Sequence, residues 1–225
     1  GIDTADLAWG QLTPTHWHLG TEQVSLADPE ALMLSDAESR AFFDAVKPLF
    51  TGDGYALHWG APLRWYAAHE SLATLATASI DRVIGRNVDA WLGSDPAARR
   101  LRRLQSEVQM LLYTHPLNAE REARGLLPVN SFWLSGCGAA QSVTGPAPGV
   151  DARLRAPALA ENWPAWVKAW ETLDEGPIAA LAAEGGSLTL CGERGSVRLE
   201  PAQGLLDRLG SLVRRPAVTN LLEPL

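Results

Sequence analysis

From Pro96 to Tyr113 the apolar residues Ala97, Leu101, Leu104, Val108 and Leu111 recur at spacings of three and four, which predicts an amphipathic helix. Asp95 places a carboxylate at its start, where backbone N–H groups lack partners. Earlier, Ser35-Asp36-Ala37-Glu38 has the form of a capping box, in which the Ser hydroxyl and the Glu carboxylate satisfy each other's backbone donors. It opens a helix with Phe42, Phe43 and Val46 on its apolar face, and the reading stops that helix before Pro48. Around these helices the period shortens to two. Leu12 to Leu19 and Gln23 to Leu26 read as strands about the turn Gly20-Thr21-Glu22, and Tyr55 to Trp59 and Leu63 to Ala67 form a hairpin about Gly60-Ala61-Pro62.

His115-Pro116 closes the long helix, and Asn118 to Arg124 forms a short one capped by Gly125 in the left-handed conformation. Pro128 then leads into a buried strand, Val129 to Leu134, which feeds a glycine-rich turn at Gly136-Cys137-Gly138. Residues 141–150 are rich in Gly, Pro and Ser and read as a mobile linker. Beyond it, Asn162 caps a helix carrying Trp163, Trp166 and Trp170 on one face; Ser187 to Cys191 and Ser196 to Leu199 are strands, and Gln203 to Val213 is a last helix. Strands and helices intermix without a repeat. The expected fold is α/β or α+β, a mixed sheet with flanking helices, in a single domain over residues 1–225.

Composition narrows the function classes. Apolar residues make up 46% of the 225, yet no run approaches the 18 or so needed to cross a membrane, so no membrane association is expected. A net charge of −7 argues against nucleic acid, which demands clustered excess cation. Cys137 and Cys191 have no ligand-like spacing, so neither a disulfide framework nor a zinc site is implied, and a reducing, cytoplasmic setting is the simplest reading. The chain opens on Gly-Ile-Asp without an initiator Met or a leader, and is expected to be a piece of a longer protein.

Four groups of residues carry candidate chemistry. His16 and His18 share a strand face but lack a recognisable third ligand, so a packed pair is preferred to a metal site, and neither metal nor cofactor is expected. Arg99, Arg100, Arg102 and Arg103 could seat a phosphate or an acidic partner, although a solvated helix face is preferred. The tryptophan stripe could bind a partner, but helical spacing favours core packing. Ser135-Gly-Cys-Gly138 reads as a structural turn in preference to an activated thiol. Phosphate-loop, dinucleotide, nucleophile-elbow and zinc-protease motifs are absent from the sequence, and no catalytic residue is assigned.

The densest polar segment runs from Tyr113 through His115, Asn118, Arg121, Arg124, Asn130, Gly136 and Gly138. It supports two expectations. Its His and Asn side chains can satisfy backbone groups at a proline corner, and Arg121 and Arg124, three apart on one helix face, can converge with glycine amides on a small anion. These seven residues form the expected ligand site. With Pro116, Gly125 and Pro128, the segment resembles a block of the archaeal-type cofactor-independent phosphoglycerate mutases. Over more of the chain, from Leu12-Thr-Pro-Thr-His-Trp17 through Asp81 to Trp91 and from Gln105 to Gly138, it is similar to RpfE-type regulatory proteins.

That resemblance implies a phosphatase-like fold in part and a regulatory protein that binds a small anionic ligand or a protein partner and does not itself catalyse. True mutases use a nucleophilic Ser with clustered Asp and His on two divalent metals, and no matching set is placed here. Two rivals stand beside this reading: a metal-dependent phosphoryl transferase or phosphatase, and a protein-interaction module, the latter indicated if the Trp163 face is exposed.

Overall fold

The computed structural model describes residues 7–21, 23–142, 145, 147–192 and 195–200, and the chain divides into two compact units between residues 145 and 146. In the first unit β1 (Ala8–Thr15), β2 (Trp17–Leu19) and β3 (Val24–Leu26) precede α1 (Asp36–Gly52), then β4 (Ala56–Ala61), β5 (Arg64–Ala68), α2 (Pro96–Tyr113), α3 (Pro116–Ala123) and β6 (Ser131–Ala139). Four strands make one sheet in the order β4-β5-β1-β6, with every neighbour antiparallel; β2 and β3 form a separate hairpin. Helices flank a sheet as expected, and the wholly antiparallel pairing gives the α+β form of that fold class.

Alternation along the strands sends side chains to two faces. Leu12, Leu57, Ala67, Phe132 and Leu134 join Phe42, Val46 and Phe50 of α1 and Leu101, Leu104, Val108 and Leu112 of α2 in the main core. Trp133, between two core residues on β6, points the other way. It enters a second cluster with Trp17, Leu26, Ala78, Val83 and Val88, its indole N–H donating to Ala78 O at 3.0 Å.

Three features depart from the sequence reading. The predicted strand through Leu19 breaks at His16 into β1 and β2. Helix α1 does not stop before Pro48 but runs to Gly52, with Phe50 only 1% exposed. Proline forfeits one backbone hydrogen bond, but Pro48 lies on the exposed side, where water can serve the abandoned carbonyl, and burial of Phe50 holds the last turn. Gly136-Cys137-Gly138 is likewise part of β6 and not a turn closing it: Gly136, at φ 62°, lies in a bulge where the register against β1 shifts between Trp9 and Gln11. Gly10 faces that bulge, and a Cβ there would meet Leu134 Cδ1 at 2.7 Å and Cys137 Sγ at 2.9 Å.

One buried hydroxyl ties α1 to the β4–β5 hairpin. Ser39 is 0% exposed, donates to Pro62 O at 2.9 Å, and accepts the indole N–H groups of Trp59 and Trp65, each at 3.0 Å. The hydroxyl's single donor and both its lone pairs are used.

In the second unit α4 (Arg155–Leu159) precedes α5 (Trp163–Leu173), a π-helical turn (Asp174–Ile178) and α6 (Ala179–Glu184), followed by the antiparallel hairpin β7 (Leu188–Cys191) and β8 (Ser196–Leu199). Asn162 caps α5 by accepting from Ala165 N at 3.1 Å, as its position in the sequence suggests. The wide turn contains Pro177, which has no N–H and would clash within a regular helix. The expected helix Gln203 to Val213 lies outside the described residues.

Ser39→Ala should strand two indole donors and a carbonyl, lowering stability by about 2–4 kcal/mol. Urea denaturation of wild type and variant measures this; equal midpoints would mean that water replaces the hydroxyl.

Candidate functional site

The polar segment after α2 folds into a corner whose side chains hold backbone groups. His115 caps α3, its Nδ1 accepting from Leu117 N at 3.3 Å while its ring packs on Phe42 at 5.1 Å. Asn118, 5% exposed, donates from Nδ2 to Leu112 O and Val129 O, both at 2.8 Å, and accepts from Val129 N at 2.9 Å. Asn130 does similar work one step further on. Its amide accepts from Trp17 N at 2.7 Å and donates to Trp17 O at 2.9 Å, continuing the β1–β6 ladder beyond its last pair, Thr15 and Ser131. The geometry explains why the segment needs amides: each bridges a donor and an acceptor where the Pro116 and Pro128 breaks leave backbone groups without ladder partners.

Both arginines of the corner converge on Glu38. Arg121, 0% exposed, donates from Nε to Leu127 O at 3.0 Å and from one terminal nitrogen to Leu32 O; the other lies 3.0 Å from Glu38 Oε1 without hydrogen-bond alignment. Arg124, half-exposed, donates to the same carboxylate oxygen and to Glu120 O at 3.3 Å. Burial alone would raise the Glu38 pKa. The hydrogen bonds from Arg124 and Ser35, with the Arg121 charge, outweigh it and bring the value from 4.5 down to about 2. Sequence patterning located the Ser35–Glu38 cap but not its second use, because the arginines that share the carboxylate come much later in the chain.

Gly136 and Gly138 lie apart from this charge cluster, in the β6 bulge and beside Trp9 in the ladder. The structure thus brings His115, Asn118, Arg121, Arg124 and Asn130 together as a corner, with the arginines occupied by Glu38, and leaves the two glycines on a separate stretch of strand.

The other sequence candidates also find protein partners. His16 Nδ1 donates to Pro128 O at 2.8 Å, and its ring meets His18 edge-on at 4.5 Å; burial, opposed by that carbonyl, lowers its pKa. Among the described residues no group of three or more His, Cys, Asp and Glu could hold a metal ion. In the basic run, Arg103 grips Asp53 at 2.6 Å through both carboxylate oxygens, Arg100 donates to Asp53 O, and Arg99 to Ser94 O at 3.0 Å. Burial first, and the Thr77 hydrogen bond against it, leave the Cys137 thiol raised to about 11, a poor nucleophile. A pair not anticipated from sequence, His69 and Ser71, is a local cap: Nδ1 accepts from Ser71 N at 3.0 Å and lies 2.8 Å from Ser71 Oγ.

Two concavities differ in kind. In the first unit a cavity of about 20 Å³ among Thr77, Trp91, Gln105 and Trp133 has room for one water. In the second unit a shallow, open surface groove of about 400 Å³ lies against one face of α5 and the start of the turn after it, where Trp166, Val167, Trp170, Glu171 and Asp174 meet it. The expectation that this stripe packs into a core is corrected at Trp163, which is 57% exposed, while Trp166 and Trp170 are half-buried. The indoles pack on one another instead. Trp163 meets Trp166 edge-to-face at 6.2 Å, and Trp166 meets Trp170 likewise at 5.8 Å. Trp170 Nε1 is buried and has no acceptor among the described residues.

No protein-family model matches the chain, and no curated protein matches it by sequence. By structure, a solved protein is similar. It is the cofactor-independent phosphoglycerate mutase from Thermoplasma acidophilum DSM 1728, similar at 18% identity and TM-score 0.45 over 62% of this chain. The matched part spans 38% of that protein's length. Among the described residues no helix is long and apolar enough to cross a membrane.

Two outcomes follow from the corner. Asn130→Ala should cost about 1–3 kcal/mol in chemical denaturation, because Trp17 N and O lose their partners together. Glu38 binds protons less readily folded than unfolded, so its stabilisation is complete above the ordinary carboxylate range and is lost as pH falls from about 4.5 through about 2. The acid limb of the stability curve should therefore flatten in Glu38→Gln, by about 1–2 kcal/mol after allowing for solvent screening at half-exposed Arg124; parallel curves would assign the limb to other carboxylates.

Proposed function

We propose that the chain is a binding domain without a reaction of its own, acting in the regulatory setting that its resemblance to RpfE-type proteins implies, and that it engages a protein partner through the tryptophan groove of α5. The observation that carries this reading is the exposure of Trp163 and Val167 beside a groove that ends in two carboxylates. Large aromatic surface left in water costs about 25 cal/mol per Å² and marks a place where another surface is accommodated.

The groove also defines the chemistry of its partner. Trp166 and Trp170 offer apolar walls and indole faces that attract cations, while Glu171 and Asp174 supply negative charge at one side. Lys168 neutralises part of Glu171 at 3.1 Å, and no ion pair to Asp174 is present among the described residues. An amphipathic basic peptide fits these features: apolar side chains against the indoles, and Arg or Lys at the carboxylates. Small anions are the alternative ligand, and the residues expected to hold them, Arg121 and Arg124, would first have to release Glu38.

Titration with an amphipathic Leu- and Arg-rich peptide, followed by calorimetry, tests the reading. Trp166→Ala should weaken binding at least ten-fold with unchanged far-UV dichroism, and binding should weaken as salt rises. A peptide affinity indifferent to Trp166 and Asp174 would remove the groove from the function; phosphate binding lost in Arg124→Ala would favour the anion reading.

A further inference from the structure

We propose that His16 and His18 form a two-histidine chelate on the first unit for a divalent late transition ion, Cu(II) most tightly, with water completing its coordination. A closed site needs three or more protein donors, and among the described residues no such group is present. An open chelate needs two, and three observations carry it.

The first is a fixed donor atom. His16 Nδ1 donates to Pro128 O at 2.8 Å, so the proton sits on Nδ1 and the lone pair on Nε2. A backbone carbonyl on the second ring nitrogen is the contact that orients metal-binding imidazoles and raises their basicity. Nε2 itself has no hydrogen-bond partner among the described residues and is not enclosed by them. The His18 ring is exposed and meets His16 edge-on, so it is free to turn.

The second is an anchored backbone. Trp17, between the two histidines, is buried in the second cluster, and alternation sends both imidazoles to the opposite, outward side. Asn130 holds Trp17 N and O, and Ala27 N donates to His16 O at 2.9 Å. Strand geometry puts the two Cα atoms roughly 6.6 Å apart, and the ring centroids already lie at 4.5 Å. Two metal–nitrogen bonds of about 2.0–2.1 Å require donor atoms roughly 3 Å apart. A turn of the His18 side chain brings its lone pair there from the 71° edge-on pose, while His16 stays in place.

The third is charge and donor type. The Glu122 carboxylate of α3 acts on His16 with the sign that favours a cation. Imidazole donors without a thiolate or an oxygen cage suit Cu(II), Ni(II) and Zn(II), of which Cu(II) binds tightest, and do not suit Mg(II) or Ca(II). A bound ion clips the junction of β1 and β2 and stabilises the folded chain by mass action.

The test titrates Cu(II), and Zn(II) separately, into the untagged full chain stripped with a chelator, followed by calorimetry, electron paramagnetic resonance and thermal melting. One Cu(II) per chain is expected, with hyperfine structure from two nitrogen donors, Zn(II) binding at least ten-fold more weakly, and a rise in Tm with either ion. His16→Asn keeps an N–H for Pro128 O but removes Nε2, and His18→Ala removes the exposed ring. Each should lower Cu(II) affinity at least ten-fold and abolish the Tm rise with unchanged far-UV dichroism, whereas His58→Gln should bind as the wild type does. Binding that survives both His16→Asn and His18→Ala, or that is lost in His58→Gln, places the ion elsewhere and overturns the proposal. A spectrum with one nitrogen donor, one ion shared by two chains, or no uptake at millimolar Cu(II) overturns it equally.

Discussion

A guanidinium removed from water must find its charge and its hydrogen bonds inside the protein, and Arg121 sets that constraint on the first unit. At 0% exposure it contacts Glu38 at the start of α1, Leu32 O in the turn before that helix, and Leu127 O in the loop before β6. Three separate stretches of chain are therefore fixed to one side chain. Removing a partner from such a buried pair typically costs about 3–5 kcal/mol, because the remaining charge stays buried without compensation. Half-exposed Arg124 adds a hydrogen bond to the same carboxylate oxygen from the solvent side.

The neighbouring amides extend the frame. With α3 anchored through Arg121, Asn118 sets the carbonyl at the end of α2 against both polar groups of Val129, and Asn130 clasps the backbone of Trp17. Trp17 is thereby delivered to the second cluster beside Trp133, on the face of the sheet opposite α1 and α2. Polar chemistry that resembles a ligand site in sequence is used here to join backbone segments across proline breaks. The tryptophan helix of the second unit presents the contrary case: apolar surface and an indole donor that the described protein leaves unused.

What could be read in advance follows from the range of the forces. The Ser35–Glu38 cap, the Pro96–Tyr113 helix, the Gly60 hairpin and the Asn162 cap are set by residues within a few positions of one another, and their sequence signatures are sufficient. The misses have distant causes. Pro48 remains helical because Phe50 is buried, Gly136 remains in β6 because Gly10 of β1 leaves room beside the bulge, and Glu38 meets Arg121 only once α3 is in place. The tryptophan stripe has the right helix and the right face, but periodicity cannot say whether a face is covered. For the site, sequence identified the residues of the corner as chemically dense, while their engagement with backbone and Glu38 became visible only in three dimensions.

Amide chemical-shift mapping of the full chain during titration with an amphipathic basic peptide tests the central claim most directly, since it reports the corner and the groove in one experiment. The account predicts perturbations concentrated in α5 and the π turn after it, with the amides of α3 and of Pro128 to Gly138 unmoved. Perturbations centred on Arg121, Arg124 and the β6 bulge, with α5 silent, would contradict it and return the function to the polar corner.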